Sequence, residues 1–230
     1  MGLWYWAVDP VSKEKYQALV PLTDVAIKGT INGSLTNLNV QLSFINNDDE
    51  SPIECTFEFP LKSDGKSSVN HLSAIIGDKL IEANIRQKEE AKEKYDDAIA
   101  SGNTAFMAEK SEKKQNAMTL RLGNLLPGQQ AIINISITEE VDIVGGAYCY
   151  SLPASLFPDY KKHDVRNKEQ VQALQSTYAI NYEFKISSNQ PISYLSVPKG
   201  VSSEFNQDKT SAIIKGNKTA RSLRFIYRTA

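Results

Sequence analysis

Cysteine and histidine are scarce in this chain, with two of each among 230 residues. Cys55, Cys149, His71 and His163 cannot assemble a structural zinc site of the usual spacing. Low cysteine usage fits a reducing compartment. An excess of one charge is missing as well. The formal net charge is −1, so neither a nucleic acid nor an anionic membrane surface is indicated as a partner. No apolar run approaches the ~20 residues that span a bilayer, which excludes membrane insertion by a helix. The Gly-x-Ser-x-Gly elbow of a serine hydrolase is absent. Asp64-Gly65-Lys66-Ser67-Ser68 resembles part of a phosphate loop, but Pro60 stands where that motif requires glycine. The same stretch fails as an Asp-x-Ser-x-Ser metal motif, because Lys66 holds the middle position. Residues 1–10 are aromatic rather than basic-then-apolar, so no signal peptide is expected. Gly2 invites a myristoylation reading, but Trp6 replaces the Ser or Thr of that motif. These absences predict no catalytic residue, no cofactor and no metal site, in a cytoplasmic protein.

Period-two alternation is what the chain has in quantity. Val25, Ile27, Gly29 and Ile31 share one face of a predicted strand, and Leu38, Val40, Leu42 and Phe44 share one face of the next. Asn32-Gly33 between them reads as a tight hairpin turn. Ile53, Cys55, Phe57 and Phe59 alternate up to Pro60, which ends a strand. Gly77-Asp78 marks another hairpin, and Met118, Leu120, Leu122 and Ile133, Ile135, Ile137 mark two further strands. The expected core comprises Val25, Ile27, Val40, Leu42, Phe44, Cys55, Phe57, Phe59, Leu120, Leu122, Ile133 and Ile135.

One stretch breaks this rhythm. From Asn84 to Gly102, apolar or long side chains recur at steps of three and four: Ile81, Ile85, Lys88, Ala91, Tyr95, Ala98 and Ile99. That spacing predicts one helix with a narrow apolar stripe packed on a sheet. Asn84 is placed to cap its start and Gly102 to stop it in a left-handed conformation. Acids and bases alternate on the other face, so the charges describe a solvated surface.

Past Val144-Gly145-Gly146, where a seam is expected, Tyr148, Tyr150 and Leu152 alternate. Residues 153–164 read as a loop and 165–174 as a weak helix or loop. Strands return at Tyr178–Ile186, Ile192–Val197, Ser211–Lys215 and Ser222–Tyr227, a second and smaller antiparallel unit. Residues 1–144 and 145–230 are therefore expected as two modules. At the N-terminus, Leu3-Trp4-Tyr5-Trp6 is dense in aromatics. It is expected to pack on the body of the domain; an exposed patch of this kind would mark an interface.

From about Leu19 to Val141 the ordered series of residues resembles the VIT (vault protein, inter-alpha-trypsin) family. Asn46 ends a strand, and Ile53-Glu54 leads into Phe57-Glu58-Phe59-Pro60-Leu61. Val69, Ile76-Gly77-Asp78 and Ile81 follow, then Lys88, Ala91, Tyr95, Ala98 and Gly102, then Ala105 and Glu109. Gly123-Asn124-Leu125 with Pro127-Gly128 closes the series. Residues 150–160 are similar to the segment that leads into a von Willebrand A domain in the family's cytosolic members. The resemblance implies a mostly β protein: an antiparallel β-sandwich with one inserted α-helix, plus the smaller antiparallel β module. It implies no catalytic residue. The expected function is a non-catalytic protein–protein interaction or scaffold module, a structural component of a larger intracellular, multi-subunit assembly with other proteins as partners. Trp4 and Trp6 are the candidate partner-binding residues. The alternative is a secreted extracellular-matrix or protease-inhibitor-associated protein of the inter-alpha-trypsin inhibitor heavy-chain type. Glycans on the sequons at Asn32, Asn134 and Asn217, or a Cys55–Cys149 disulfide, would mark that alternative.

Overall fold

Alternation of apolar and polar residues commits a segment to a half-buried strand, and here it builds three sheets around one core. The computed structural model describes residues 2–9, 11–47, 51–62, 65–83, 88–110, 117–152, 178–217 and 223–230. The predicted loop and weak helix at 153–174 lie outside the described residues, as do Asn84, Ile85 and Gln87 at the predicted helix start.

The first sheet has five strands: β1 (Leu3–Val8), β2 (Lys15–Leu19), β5 (Ile53–Pro60), β8 (Ala105–Lys110) and β9 (Ala117–Leu125), in the order β2-β1-β5-β9-β8. The second has eight. Its centre is β3 (Leu22–Asn32), β4 (Leu35–Ile45), β10 (Gln130–Glu140) and β6 (Ser67–Ile76), with β7 (Lys79–Glu82) at one edge. On the other side of β3 it continues through β13 (Ala179–Ser187), β16 (Ser211–Gly216) and β15 (Ser202–Phe205). The third, antiparallel sheet contains β11 (Asp142–Val144), β12 (Ala147–Leu152), β17 (Leu223–Thr229) and β14 (Ile192–Ser196).

Every residue of the expected core is buried. Phe44 on β4 meets Phe57 on β5 edge-to-face, with centroids 6.2 Å apart, which joins the five-stranded sheet to the eight-stranded one. One hydrophobic core runs on from there to Tyr150, Phe184, Phe225 and Tyr227. The chain is mostly β, as its alternation predicts. One pairing departs from the antiparallel expectation: β13 runs parallel to β3, with Phe184 opposite Gly29. Gly145 and Gly146, at the expected seam, both have positive φ and form the turn of the β11–β12 hairpin. The first hairpin turns at Gly33-Ser34, one residue later than predicted, because Asn32 still pairs with Leu35.

Among the described residues the single helix is α1 (Lys88–Ala100). Ile81, assigned to its stripe by spacing, instead belongs to β7 and pairs with Ala74. Tyr95 is buried against Ala105 and Met107 of β8, with Ala98 and Ile99 beside it. The stop at Gly102 forms as predicted. Gly102 has φ 73°, its N–H donates to Ile99 O, and Asn103 N–H donates to Ala98 O. Asn124, itself at positive φ, donates its side-chain amide to Ile99 O in the helix's last turn and to Asn103 O just beyond it, so a residue of β9 ties down the helix end. Gly123 sets the helix on the sheet: a Cβ there would lie 1.9 Å from Ile99 Cδ1. At the β9–β10 turn, the buried Asn46 donates to Leu125 O, while its own backbone bonds Gln129 and Gly128.

Candidate partner-binding site

Strand β1 divides its side chains by the pleat. Leu3 and Tyr5 turn into the core, while Trp4 and Trp6 stand on the opposite face of the sheet. Both expectations for the N-terminus therefore hold in part. The segment packs through Leu3, yet Trp6 is 59% exposed. The two indoles meet edge-on, with centroids 5.7 Å apart and planes at 86°, so each braces the other.

These tryptophans wall an open concavity of ≈ 740 Å³ on the outer face of the five-stranded sheet. Its floor comes from strands that the sequence keeps far apart. Glu54, Thr56 and Glu58 project from β5, Thr119 and Arg121 from β9, and Glu109 from β8. Pairing aligns them: Trp4 lies opposite Thr56, Thr56 opposite Arg121, and Thr119 between Glu58 and Glu109. Arg121 Nη2 lies 3.3 Å from Glu109 Oε1. The Tyr95 hydroxyl reaches across Gly123 and donates to Glu54 Oε1 at 3.0 Å. Burial, and next the Glu54 carboxylate beside it, hold the Tyr95 phenol far above its ordinary range, so it remains a donor at any physiological pH. Of this site, sequence reasoning named only Trp4 and Trp6. The floor residues are the polar positions between apolar ones in β5 and β9, a signal the alternation carried without saying which strands adjoin.

A second polar cluster lies at the end of β10. Glu139 is only 6% exposed, with Lys62 Nζ 3.9 Å from its Oε2. The Lys62 ammonium also donates to Glu140 O at 2.6 Å and lies 5.9 Å from the centre of the Tyr150 ring. The Tyr150 hydroxyl faces the Glu139 carboxyl closely enough to favour its charge. Even so, among the described residues neither Glu139 Oε1 nor the Tyr150 hydroxyl completes a hydrogen bond of ordinary geometry. Burial raises the Glu139 carboxyl above its ordinary value of 4.5, opposed by Lys62 and Tyr150 and reinforced by Asp142.

The sign of the linkage follows from that shift. The native state holds this proton more tightly than the unfolded chain, so the stability it contributes is present below 4.5 and is lost as pH rises through the native value. Glu139→Gln is expected to flatten this decline. It should also raise the melting temperature at neutral pH by about 2–4 °C, the shift that ~1 kcal/mol produces in a chain of this size. Melts across this pH range check it; a variant that melts lower than the parent at neutral pH would show that the charged pair is net stabilising.

Among the described residues no group of His, Cys, Asp and Glu side chains is arranged to hold a metal ion. Cys55 is buried and Cys149 half-buried, and both are free thiols. His71 lies 3.9 Å from Glu82 on an exposed edge, and His163 is outside the described residues. No described helix is long and apolar enough to cross a membrane.

Comparison with known proteins agrees with this architecture. Residues 22–137 match the family model for the vault protein inter-alpha-trypsin domain. The von Willebrand factor A domain-containing protein 5A of Rattus norvegicus is 30% identical over 158 residues, 68% of this chain and 18% of that protein. A von Willebrand factor A domain-containing protein of Dictyostelium discoideum is 33% identical over 142 residues, 62% of this chain and 13% of that protein. The human protein mono-ADP-ribosyltransferase PARP4 is 34% identical over 140 residues, 61% of this chain and 8% of that protein. The chain thus spans less than a fifth of the length of each of these relatives. With the family's model matched over half of its residues, the chain belongs to the VIT (vault protein inter-alpha-trypsin) domain family.

Proposed function

We propose that the chain is a non-catalytic protein-interaction module that serves as a structural part of a larger intracellular assembly, and that a neighbouring protein seats on the Trp4–Trp6 face. One observation carries the reading: a braced tryptophan pair stands over a concave, partly charged sheet face, with Trp6 more than half exposed. Exposed tryptophan is costly to leave in water, and such anchors carry a disproportionate share of interface energy. The relatives support the reading by their names, which couple this domain to von Willebrand A domains in much longer chains. The ADP-ribosyltransferase activity in the name of the human relative belongs to a protein of which the match covers 8%.

Size exclusion of the protein from its native cells tests this reading. The expected result is elution far above the 25.6 kDa of the chain, with Trp4→Ala/Trp6→Ala returned to a smaller species. Recovery from the medium with glycans on Asn32, Asn134 or Asn217 would overturn the intracellular reading in favour of the secreted one. Unchanged elution of the double variant would remove the tryptophan face from the assembly.

A further inference from the structure

The polar cluster at the end of β10 brings together more hydrogen-bonding groups than its own side chains satisfy. We infer that it encloses an internal water molecule, bound between Thr36 Oγ1, Glu139 Oε1 and the Tyr150 hydroxyl. Among the described residues these three atoms find no hydrogen-bond partner of ordinary geometry, and the three side chains belong to residues that are 0%, 6% and 0% exposed. The register brings two of them together. Thr36 on β4 pairs directly with Glu139 on β10, and both lie on the buried face of their strands. Side chains of such a cross-strand pair lie side by side. Tyr150 approaches the same carboxyl from β12 of the third sheet. The cluster shares no residue with the Trp4–Trp6 concavity, so the inference is independent of the partner site.

The polar groups around these three atoms are engaged elsewhere. Ser67 of β6 is the register partner of Glu139 on its other side. Its hydroxyl accepts from the Lys62 backbone N–H at 2.7 Å and donates to Lys62 O at 3.5 Å. Lys62 Nζ donates to Glu140 O at 2.6 Å and stands 3.9 Å from the other carboxylate oxygen, Glu139 Oε2. Three unsatisfied polar atoms in one buried place would be costly, whereas a buried water takes about three hydrogen bonds to such groups. The chemistry of the three atoms selects water among small ligands. A carboxylate oxygen requires a donor, a phenol supplies one, and a threonine hydroxyl serves as either, so the occupant must both donate and accept. The Lys62 ammonium opposes a metal cation here, and the Glu139 carboxylate opposes an anion. Closed off from solvent, the three atoms are out of reach of a larger ligand. The water joins β4 and β10 to β12, and so ties the third sheet to the eight-stranded one.

A crystal structure of the whole 230-residue chain tests this directly. The expected result is one ordered water within hydrogen-bonding distance of all three atoms. Melting curves of Thr36→Val add a test in solution, because valine keeps the branched shape and removes only the hydroxyl. With the water bound to Thr36, Thr36→Val should lower the melting temperature by about 2–4 °C. Tyr150→Phe should then cost less in the Thr36→Val background than in the parent, since both changes disrupt the same water. A hydroxyl with no partner at all predicts the opposite sign: its removal relieves an unsatisfied buried group, and Thr36→Val melts higher than the parent. That outcome would overturn the inference. So would costs that simply add, a dry site, an ion in place of the water, or a Thr36 hydroxyl bonded straight to the Glu139 carboxyl.

Discussion

Phe184→Ala is expected to destabilise the fold by about 3–5 kcal/mol, an effect on the order of 6–20 °C in melting temperature for a chain of this length. The ring is fully buried where the three-stranded extension β13–β16–β15 joins the rest of the eight-stranded sheet. It lies 5.1 Å from both Tyr150 and Phe225 and 6.5 Å from Tyr182, centroid to centroid, so the third sheet closes on it as well. Its seat is a missing side chain. A Cβ on Gly29, its partner in the parallel register, would fall 2.2 Å from Phe184 Cδ1. Gly29→Ala alone should therefore displace the ring and cost about 1–3 kcal/mol by overpacking. In the Phe184→Ala background the same change meets no ring and fills vacated space, so its cost should nearly vanish. Urea melts of the four proteins measure this coupling. Costs that simply add would mean that Gly29 and Phe184 do not share this seat.

How much of this was legible in the sequence depends on the range of the interaction. Period-two alternation is local, and it identified Val25, Ile27, Phe44, Phe57, Leu120 and Ile133 as core before any pairing was known. The Gly102 stop is also local, because a left-handed residue after a helical stripe has few other meanings. The β13–β3 pairing was not legible. A parallel partner requires a crossover rather than a turn, and no local pattern links positions 25 and 180. Gly29 fits the apolar face of its strand by position, but only the folded chain shows that it makes room for an aromatic ring. The same division applies to the site. Trp4 and Trp6 stand two residues apart and declare a shared face. The Glu54–Arg121–Glu109 floor exists only after β5, β9 and β8 have paired. Glu139 carried no signal in the sequence: only the folded chain places it beneath Lys62 and Tyr150, where burial raises its carboxyl above the ordinary value. Such shifts arise where a titratable group is covered by elements distant in sequence.

Tyr95→Asp is the second large effect, expected at about 3–5 kcal/mol, the range for an uncompensated buried charge. Three terms act in the same direction. The substitution removes a buried ring from its contacts with Ala105 and Met107. It introduces a carboxylate into the same enclosed position, where desolvation opposes ionisation. It also aims that charge toward Glu54, which now accepts a hydrogen bond from position 95. Tyr95→Phe separates packing from polarity: the ring stays, the donor goes, and Glu54 can turn to the water of the open concavity. That variant should cost only about 1 kcal/mol. It should nevertheless weaken any ligand held by an oriented Glu54, because the carboxylate recovers rotameric freedom that binding must then remove. Melting curves of the two variants rank these terms. A soluble Tyr95→Asp protein with the parent's melting point would remove α1 from its seat on β8 and β9. A Tyr95→Phe protein as damaged as Tyr95→Asp would mean that the hydrogen bond, rather than the packed ring, fixes the helix to the sheet.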